Sequence, residues 1–132
     1  MKTLTQTYHI QATLADVWQA LVDPGEIDGW DGGPAVMDEK VGTEFKLWGG
    51  EIWGKNIEVI PGKKLVQEWN DTQDPIEPTI LTLTLAAEDA GTIVELLHTN
   101  IPDDRADDIE QGWQDYYMGP LKEYVENREA RQ

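Results

Sequence analysis

The sequence contains no cysteine and no serine, and these two absences remove several classes of protein. Without cysteine there can be no disulfide, no thiolate metal site and no thiol nucleophile. Without serine, a Ser-His-Asp triad cannot be assembled. An HExxH motif is also missing, and His9 and His98 fall on opposite faces of predicted strands, which argues against a shared metal. We therefore expect neither a metal nor any other cofactor.

Long apolar runs are missing too. No stretch approaches the ~20 residues that a membrane-spanning helix needs. The first residues, MKTLTQTYHIQ, are polar and lack the apolar core of a signal peptide. From these features we expect a cytoplasmic protein without a membrane partner.

Positive charge is scarce, since 10 Lys and Arg stand against 26 Asp and Glu, for a formal net charge of −16. Such a surface repels nucleic-acid phosphates and anionic lipids, so neither is an expected partner. The acidic residues occur in nearly every segment, which favours a solvated, salt-adapted surface over a patch for a basic partner. The acidic run 103–108 lacks the spacing of an EF-hand loop and is interpreted as stabilising a helix start.

A single domain is predicted over residues 1–132, because no linker, repeat or low-complexity tract divides them. Residues 4–12 alternate as a strand, Thr13 and Asp16 form a capping box for a first helix, and Asp23-Pro24 starts a second short helix. Short turns separate the later strands and indicate an antiparallel sheet. These further strands are predicted over 35–37, 43–48, 51–60, 65–70, 79–87 and 92–100.

The last third of the chain, 101–125, predicts a long amphipathic helix. Trp113, Tyr117, Leu121 and Tyr124 recur at spacings of four, four and three, which places them on one face. Gly119-Pro120 lies within the pattern and predicts a bend, because proline removes a backbone hydrogen bond. An aromatic helix face that closes over a sheet suggests a container for a ligand.

Several segments taken in order resemble a known family. They are VWQALVDP from Val17 with the following Trp30, the glycines at 49, 50 and 54, PGKKL at 61–65 leading to Trp69, GTIVELLH from Gly91, and GWQDYYMGPLKEYV from Gly112. Together they resemble the START-like (SRPBCC) superfamily, and more closely the branch named for the C-terminal domain of the activator of the 90-kDa heat-shock chaperone ATPase. The resemblance implies an α+β helix-grip fold. In that fold a seven-stranded curved antiparallel sheet wraps around a long C-terminal helix, two short helices lie between strands one and two, and a cavity separates sheet and helix.

The aromatic residues are the first candidates for the wall of that cavity. Six Trp and four Tyr stand against one Phe, and both common types combine apolar area with a polar group, which suits recognition of a flat molecule. Trp113 and Tyr117 lie on the covering helix, Trp69 on a central strand and Trp30 beside a glycine loop. Each of them is alternatively a packing residue of the core.

Three polar residues are candidates for orienting a ligand. His98 continues the inward row of Val94 and Leu96, and Gln67 and Gln6 share the inward phase of their own strands. Polar side chains that face an aromatic-lined space can fix the position of a small molecule. Alternatively, His98 binds a backbone carbonyl or a helix group and fixes the sheet edge.

The expected function is therefore binding of a small hydrophobic or aromatic molecule between sheet and helix, without catalysis. The resemblance leaves two alternatives, because one fold supports many functions. One is an enzyme of the polyketide cyclase or aromatase type, in which His98 is the obvious acid or base. The other is an interaction module that acts on a chaperone.

Overall fold

The structure is a computed structural model that describes residues 1–72, 77–89 and 91–130, with side chains up to residue 128. The sequence also predicts a loop that carries Pro75 and Pro78 and a turn over 88–91, of which Pro75 and residue 90 lie outside the described residues. The strands are β1 (Lys2–Ile10), β2 (Glu44–Leu47), β3 (Ile52–Ile60), β4 (Lys64–Asp71), β5 (Thr79–Glu88) and β6 (Gly91–Ile101). The helices are α1 (Leu14–Val22), α2 (Pro24–Gly29), α3 (Ala106–Gly112) and α4 (Gly119–Ala130), and a π-helical segment (Trp113–Met118) joins the last two into one C-terminal helix.

The two helices predicted between the first two strands are confirmed, and their caps explain where they begin. The N–H of Asp16 donates to Thr13 Oγ1 at 3.2 Å, which caps α1 as predicted. Asp23 caps α2, because its Oδ1 accepts from the N–H of Gly25 at 2.8 Å. Pro24 occupies the first helical position, where a backbone N–H is not required.

The described strands form one antiparallel sheet in the order β1-β6-β5-β4-β3-β2, so the predicted number of seven is wrong by one. The predicted strand at 35–37 forms only an isolated bridge, in which Val36 and Lys46 exchange two hydrogen bonds of 2.9 Å. Pro34 precedes it without an N–H to donate. Asp38 then turns the chain by accepting from the N–H of Lys40 at 2.8 Å, so the pairing stops.

The inner face of the sheet carries three rows of residues that strand alternation in the sequence predicts, and all of these residues are buried. The rows are Leu65, Gln67 and Trp69 on β4, Leu81, Leu83 and Leu85 on β5, and Val94, Leu96 and His98 on β6. Gly54 of β3 pairs with Trp69, and a Cβ at this glycine would lie 1.7 Å from the carbonyl oxygen of Glu68. Only glycine therefore allows β3 to approach β4 this closely. His9 lies exposed on the opposite side from His98, as predicted.

The C-terminal helix is irregular just before Gly119-Pro120, where the sequence predicts a bend. The irregularity is a π-helical segment. The N–H of Gly119 donates to the carbonyl of Gln114, five residues earlier, and a Cβ at Gly119 would lie 2.1 Å from that oxygen. The wider turn makes room for the ring of Pro120, which would crowd a carbonyl in a regular α-helix. Trp113, Tyr117 and Leu121 are buried as predicted, together with Met118 and Val125, whereas Tyr124 is only half-buried. Among the described helices, none has the length and apolar character needed to cross a membrane.

Candidate ligand-binding cleft

A cleft of about 410 Å³ opens at one end of the interface between the sheet and the C-terminal helix. One wall comes from the sheet and consists of Trp48 and Ile52 of the β2–β3 hairpin with Trp69 of β4. The opposite wall is the first half of the C-terminal helix, which presents Ile109, Gly112, Trp113, Tyr116 and Tyr117. Five of the twelve lining residues are aromatic, and four others are the charged residues Glu51, Asp71, Arg105 and Asp108.

A cluster of aromatic rings forms the floor of the cleft. The ring centroids of Trp113 and Tyr117 lie 4.7 Å apart, and those of Trp69 and Trp113 lie 5.1 Å apart. Trp30 packs behind Tyr117 at 4.8 Å, and its indole N–H donates to the carbonyl of Ala20 at 2.8 Å. Trp30 therefore supports the floor from within the core. These ring contacts fill the space between the sheet and the helix behind the cleft, so a ligand has room only in the open cleft itself.

Tyr117 has the most unusual polar group in the site. Its side chain is buried, and its hydroxyl has no hydrogen-bond partner among the described residues. Burial raises the pKa of Tyr117, so the hydroxyl stays protonated. It can both donate and accept a hydrogen bond, but the surrounding side chains enclose it, so a ligand in the cleft meets it only after one of them shifts.

His98 uses both of its ring nitrogens within the protein. The indole N–H of Trp113 is 3.1 Å from Nδ1, and Thr79 Oγ1 is 2.7 Å from Nε2. Because an indole can only donate, Nδ1 must be the acceptor, and Nε2 therefore carries the proton and donates to Thr79. Burial lowers the pKa of His98 to about 4, so the ring is neutral at pH 7.

Gln67 holds Trp69 through a buried chain of hydrogen bonds. Its Oε1 accepts from the indole N–H of Trp69 at 2.9 Å, and its Nε2 donates to Oδ1 of Asn56 at 2.9 Å. The Asn56 amide continues to the carbonyl of Asp38 at 3.1 Å. The amide of Gln67 is fully enclosed, and its partners fix the indole that lines the cleft.

Gln6 lies apart from the aromatic cluster. It pairs with Leu96 in the register of β1 and β6, while His98 pairs with Leu4. Its amide donates to the carbonyl of Glu110 at 3.1 Å, and its Oε1 accepts from the hydroxyl of Tyr8. The structure thus brings Trp69, His98, Trp113 and Tyr117 into direct ring contact, with Gln67 hydrogen-bonded to Trp69 and Trp30 packed against Tyr117. The role of the seven predicted residues as ligand contacts stays a prediction.

Sequence reasoning missed part of the lining. Arg105, Asp108, Ile109, Gly112 and Tyr116 follow one another at spacings of three, one, three and four before and along the C-terminal helix, which is the pattern of one helix face and was a usable signal. The orientation of Trp48 was not accessible in this way. That residue has a positive φ of 50° in the turn before Gly49, a conformation that alternation along a strand does not predict.

The described residues contain no candidate metal centre. Within residues 1–72, 77–89 and 91–128, no group of three or more His, Asp or Glu side chains could hold a metal ion.

A curved antiparallel sheet that grips a C-terminal helix, with a cleft at their interface, defines the helix-grip class of the START-like superfamily. Within that class, residues 11–126 match the family described as activator of Hsp90 ATPase homolog 1-like protein. The chain belongs to this family.

Three relatives illustrate the similarity. An activator of 90-kDa heat shock protein ATPase homolog from Dictyostelium discoideum is 28% identical over 123 residues, which are 92% of this chain and 32% of the relative. CalU16 from Micromonospora echinospora is 25% identical with a TM-score of 0.76, covering 98% of this chain and 78% of that one. An HSP90 activator from Plasmodium falciparum has a TM-score of 0.83 at 21% identity, covering 92% of this chain and 94% of that one. The chain spans about a third of the length of the curated relatives it matches.

Proposed function

We propose that the chain is a binding module that holds a small hydrophobic or aromatic molecule in the cleft, without catalysing a reaction. The observation that carries this proposal is the unpartnered hydroxyl of Tyr117. Leaving a buried hydroxyl without a partner costs about 1–3 kcal/mol. A ligand atom that bonds the hydroxyl removes this cost, which gives the bound state an advantage that the free protein lacks.

The shape and lining of the cleft support the same proposal. Its volume of about 410 Å³ lies within the range of small-molecule sites, roughly 300–1,000 Å³. Trp48, Trp69 and Trp113 provide flat apolar surfaces, and the polar groups that hold the last two indoles are already bonded within the protein. The walls are therefore largely preformed, which reduces the entropy lost on binding.

The geometry at His98 argues for binding rather than chemistry. A general base needs a free nitrogen near the reacting proton, and both nitrogens of His98 already have protein partners. Its lowered pKa also makes it a weak base. We propose that His98 orients Trp113. The alternative of a cyclase-type enzyme then lacks its obvious catalytic acid or base.

The proposal can be tested by titrating the protein with 2-naphthol, a neutral aromatic probe with a hydroxyl. The indole N–H resonances of the nitrogen-labelled protein report each Trp separately. We expect the signals of Trp48, Trp69 and Trp113 to shift, while those of Trp18 and Trp53, which do not line the cleft, stay in place. Equal shifts at all five positions would indicate non-specific binding and contradict the proposal.

A blocking variant makes the test sharper. Gly112 lies in the cleft wall, and the nearest side chain to a Cβ built there is the ring of Tyr116 at 3.9 Å, so there is room for a Cβ and Gly112→Leu adds apolar bulk at the wall of the cleft. We expect this variant to stay folded and to lose 2-naphthol binding. Asn127→Leu adds the same side chain at an exposed position of the same helix and should bind like the wild type. Undiminished binding by Gly112→Leu would place the probe elsewhere.

The variant Tyr117→Phe separates stability from binding. It removes the unpartnered hydroxyl, so the free energy of unfolding should rise by about 1 kcal/mol. Affinity for 2-naphthol should fall several-fold in the same variant. A loss of stability would mean that the hydroxyl already has a partner in the free protein.

A second candidate function is action on a chaperone, which the family and the names of the Dictyostelium and Plasmodium relatives support. The outer face of the sheet carries exposed apolar residues suited to a protein partner. Trp53 is 42% exposed and pairs with Lys46, which in turn bridges to Val36, itself 52% exposed. Ile57, further along the same strand as Trp53, is 44% exposed.

The chaperone candidate has its own test. The ATPase rate of a 90-kDa heat-shock chaperone is measured with the wild-type protein, with Trp53→Thr and with Leu97→Thr. Leu97 is an exposed apolar residue of β6, away from the patch, and serves as the matched control. Stimulation that Trp53→Thr alone reduces supports this function, and a rate that the wild-type protein leaves unchanged excludes it.

A further inference from the structure

Four charged side chains at the mouth of the cleft decide which sign of charge it favours. Glu51, Asp71 and Asp108 contribute three negative charges and Arg105 one positive charge, which leaves a formal charge of −2 whatever ion pairs they form. The net charge of −16 on the whole chain has the same sign. The field at the mouth therefore attracts cations and repels anions.

The lining behind these carboxylates is also suited to positive charge. Trp48, Trp69, Trp113 and Tyr116 line the space, and the face of an aromatic ring is negative and attracts a cation within about 6 Å. Indole gives the strongest interaction of this type. Aromatic faces with carboxylates at the rim form a recognised environment for substituted ammonium groups.

Tyr117 lines the same space and carries the unpartnered hydroxyl on which the binding function rests. It is buried, protonated and without a partner among the described residues, and it can bond a polar atom of the ligand other than the charged nitrogen.

We propose that the ligand is an organic cation, namely a hydrophobic or aromatic molecule that bears a positively charged nitrogen. The inference rests on the proposed binding function and specifies the chemical class of the molecule. The carbon skeleton lies against the indoles of the cleft, and the charged nitrogen lies between the aromatic faces and the carboxylates at the rim. A fatty acid or a phosphorylated molecule would place its anionic group in the same negative field.

Three probes of similar shape test the charge preference directly. They are benzyltrimethylammonium, its uncharged carbon analogue neopentylbenzene, and the anion phenylmethanesulfonate, each titrated against the indole N–H resonances. We expect the cation to bind about tenfold more tightly than the neutral analogue. The anion should bind more weakly than both, and added salt should weaken only the binding of the cation.

Charge-neutralising variants locate the source of the preference. The double variant Glu51→Gln/Asp108→Asn removes two rim carboxylates, and we expect it to lower the cation-to-neutral ratio several-fold. Glu95→Gln/Glu123→Gln removes the same number of charges from exposed positions outside the cleft and should leave the ratio unchanged. If the cation-to-neutral affinity ratio falls equally in both variants, the net charge alone causes the preference. The proposed role of the rim carboxylates is then overturned.

The outcomes separate this inference from the function on which it rests. Equal affinities for the cation and the neutral analogue, both at the cleft indoles, overturn the inference and leave the binding function standing. If none of the three probes shifts the indole signals, the inference is also overturned, and the titration with 2-naphthol decides the function separately.

Discussion

The indole of Trp113 donates its N–H to Nδ1 of His98 across 3.1 Å, joining the C-terminal helix to the last strand of the sheet. This bond fixes which nitrogen of His98 carries the proton. It also holds an indole of the cleft wall in a defined orientation. A neutral, buried histidine is therefore part of the scaffold of the site.

We predict that His98 makes the protein less stable at mildly acidic pH. Burial lowers its pKa to about 4 from an ordinary 6.5, so between these values the unfolded chain binds a proton that the folded chain does not. The contribution to stability is complete above pH 6.5 and is lost as the pH falls towards 4. At pH 5 the loss should reach about 2 kcal/mol, as measured by urea unfolding at pH 7.5 and pH 5.

The variant His98→Gln is the control for this prediction, because it removes the titrating group and retains a donor and an acceptor. Protonation of surface carboxylates relieves repulsion equally in both proteins, so the difference between their pH profiles isolates His98. Parallel profiles would show that His98 is protonated equally in the folded and unfolded chains.

We predict that Gln67→Leu destabilises the fold by about 2–4 kcal/mol. The substitution leaves the indole N–H of Trp69 and the Oδ1 of Asn56 without their partner in a buried region. Gln114→Leu, at an exposed position of the C-terminal helix, is the control for the same chemical change. Chemical denaturation measures both, and equal stabilities would mean that the buried chain of hydrogen bonds contributes nothing.

Two glycines of the C-terminal helix should respond to alanine in opposite directions. At Gly119 a Cβ would lie 2.1 Å from the carbonyl oxygen of Gln114, so Gly119→Ala should cost about 2 kcal/mol. At Gly112 there is room, so Gly112→Ala should stabilise by about 0.5–1 kcal/mol through helix propensity. Thermal unfolding of the two variants compares them directly. A tolerated alanine at 119 would contradict the tight π-helical turn.

We predict that salt stabilises the protein strongly. With a formal net charge of −16, repulsion between carboxylates opposes the compact state, and salt screens it. The melting temperature should rise by about 10 °C between low and molar sodium chloride. Potassium chloride should act equally, whereas sucrose, which does not screen charge, should not reproduce the curve. A flat response would favour the alternative of an acidic patch made for a basic partner.

Most of the fold could be predicted from residue periodicity. The inward rows on β4, β5 and β6 follow strict alternation, and the caps at Thr13 and Asp23 follow local rules. The prediction of a strand at 35–37 was wrong, because alternation over three residues does not determine whether strand pairing continues. That outcome depends on Pro34 and on the turn at Asp38.

The candidate site was only partly accessible from the sequence. Trp113 and Tyr117 were found because helical spacing identifies a buried face. A bond from His98 to a helix group was one of the two alternatives, but Trp113 and Thr79 could not be identified as its partners, since these contacts depend on how the helix docks on the sheet and how the strands pair. The unpartnered hydroxyl of Tyr117 is a property of three-dimensional packing and has no pattern along the chain.

The π-helical turn before Gly119 divides the C-terminal helix into two halves that differ in their rotation about the helix axis. The turn contains one extra residue, which rotates all later side chains about the helix axis. The half that bears Trp113 and the half that bears Leu121 therefore pack with different rotations. Substitutions can therefore remodel the half that meets the cleft while the other stays anchored on α1 and α2, where Tyr124 and Arg128 bond Glu26. A helix built in this way allows its cleft-facing surface to diverge without losing its anchorage.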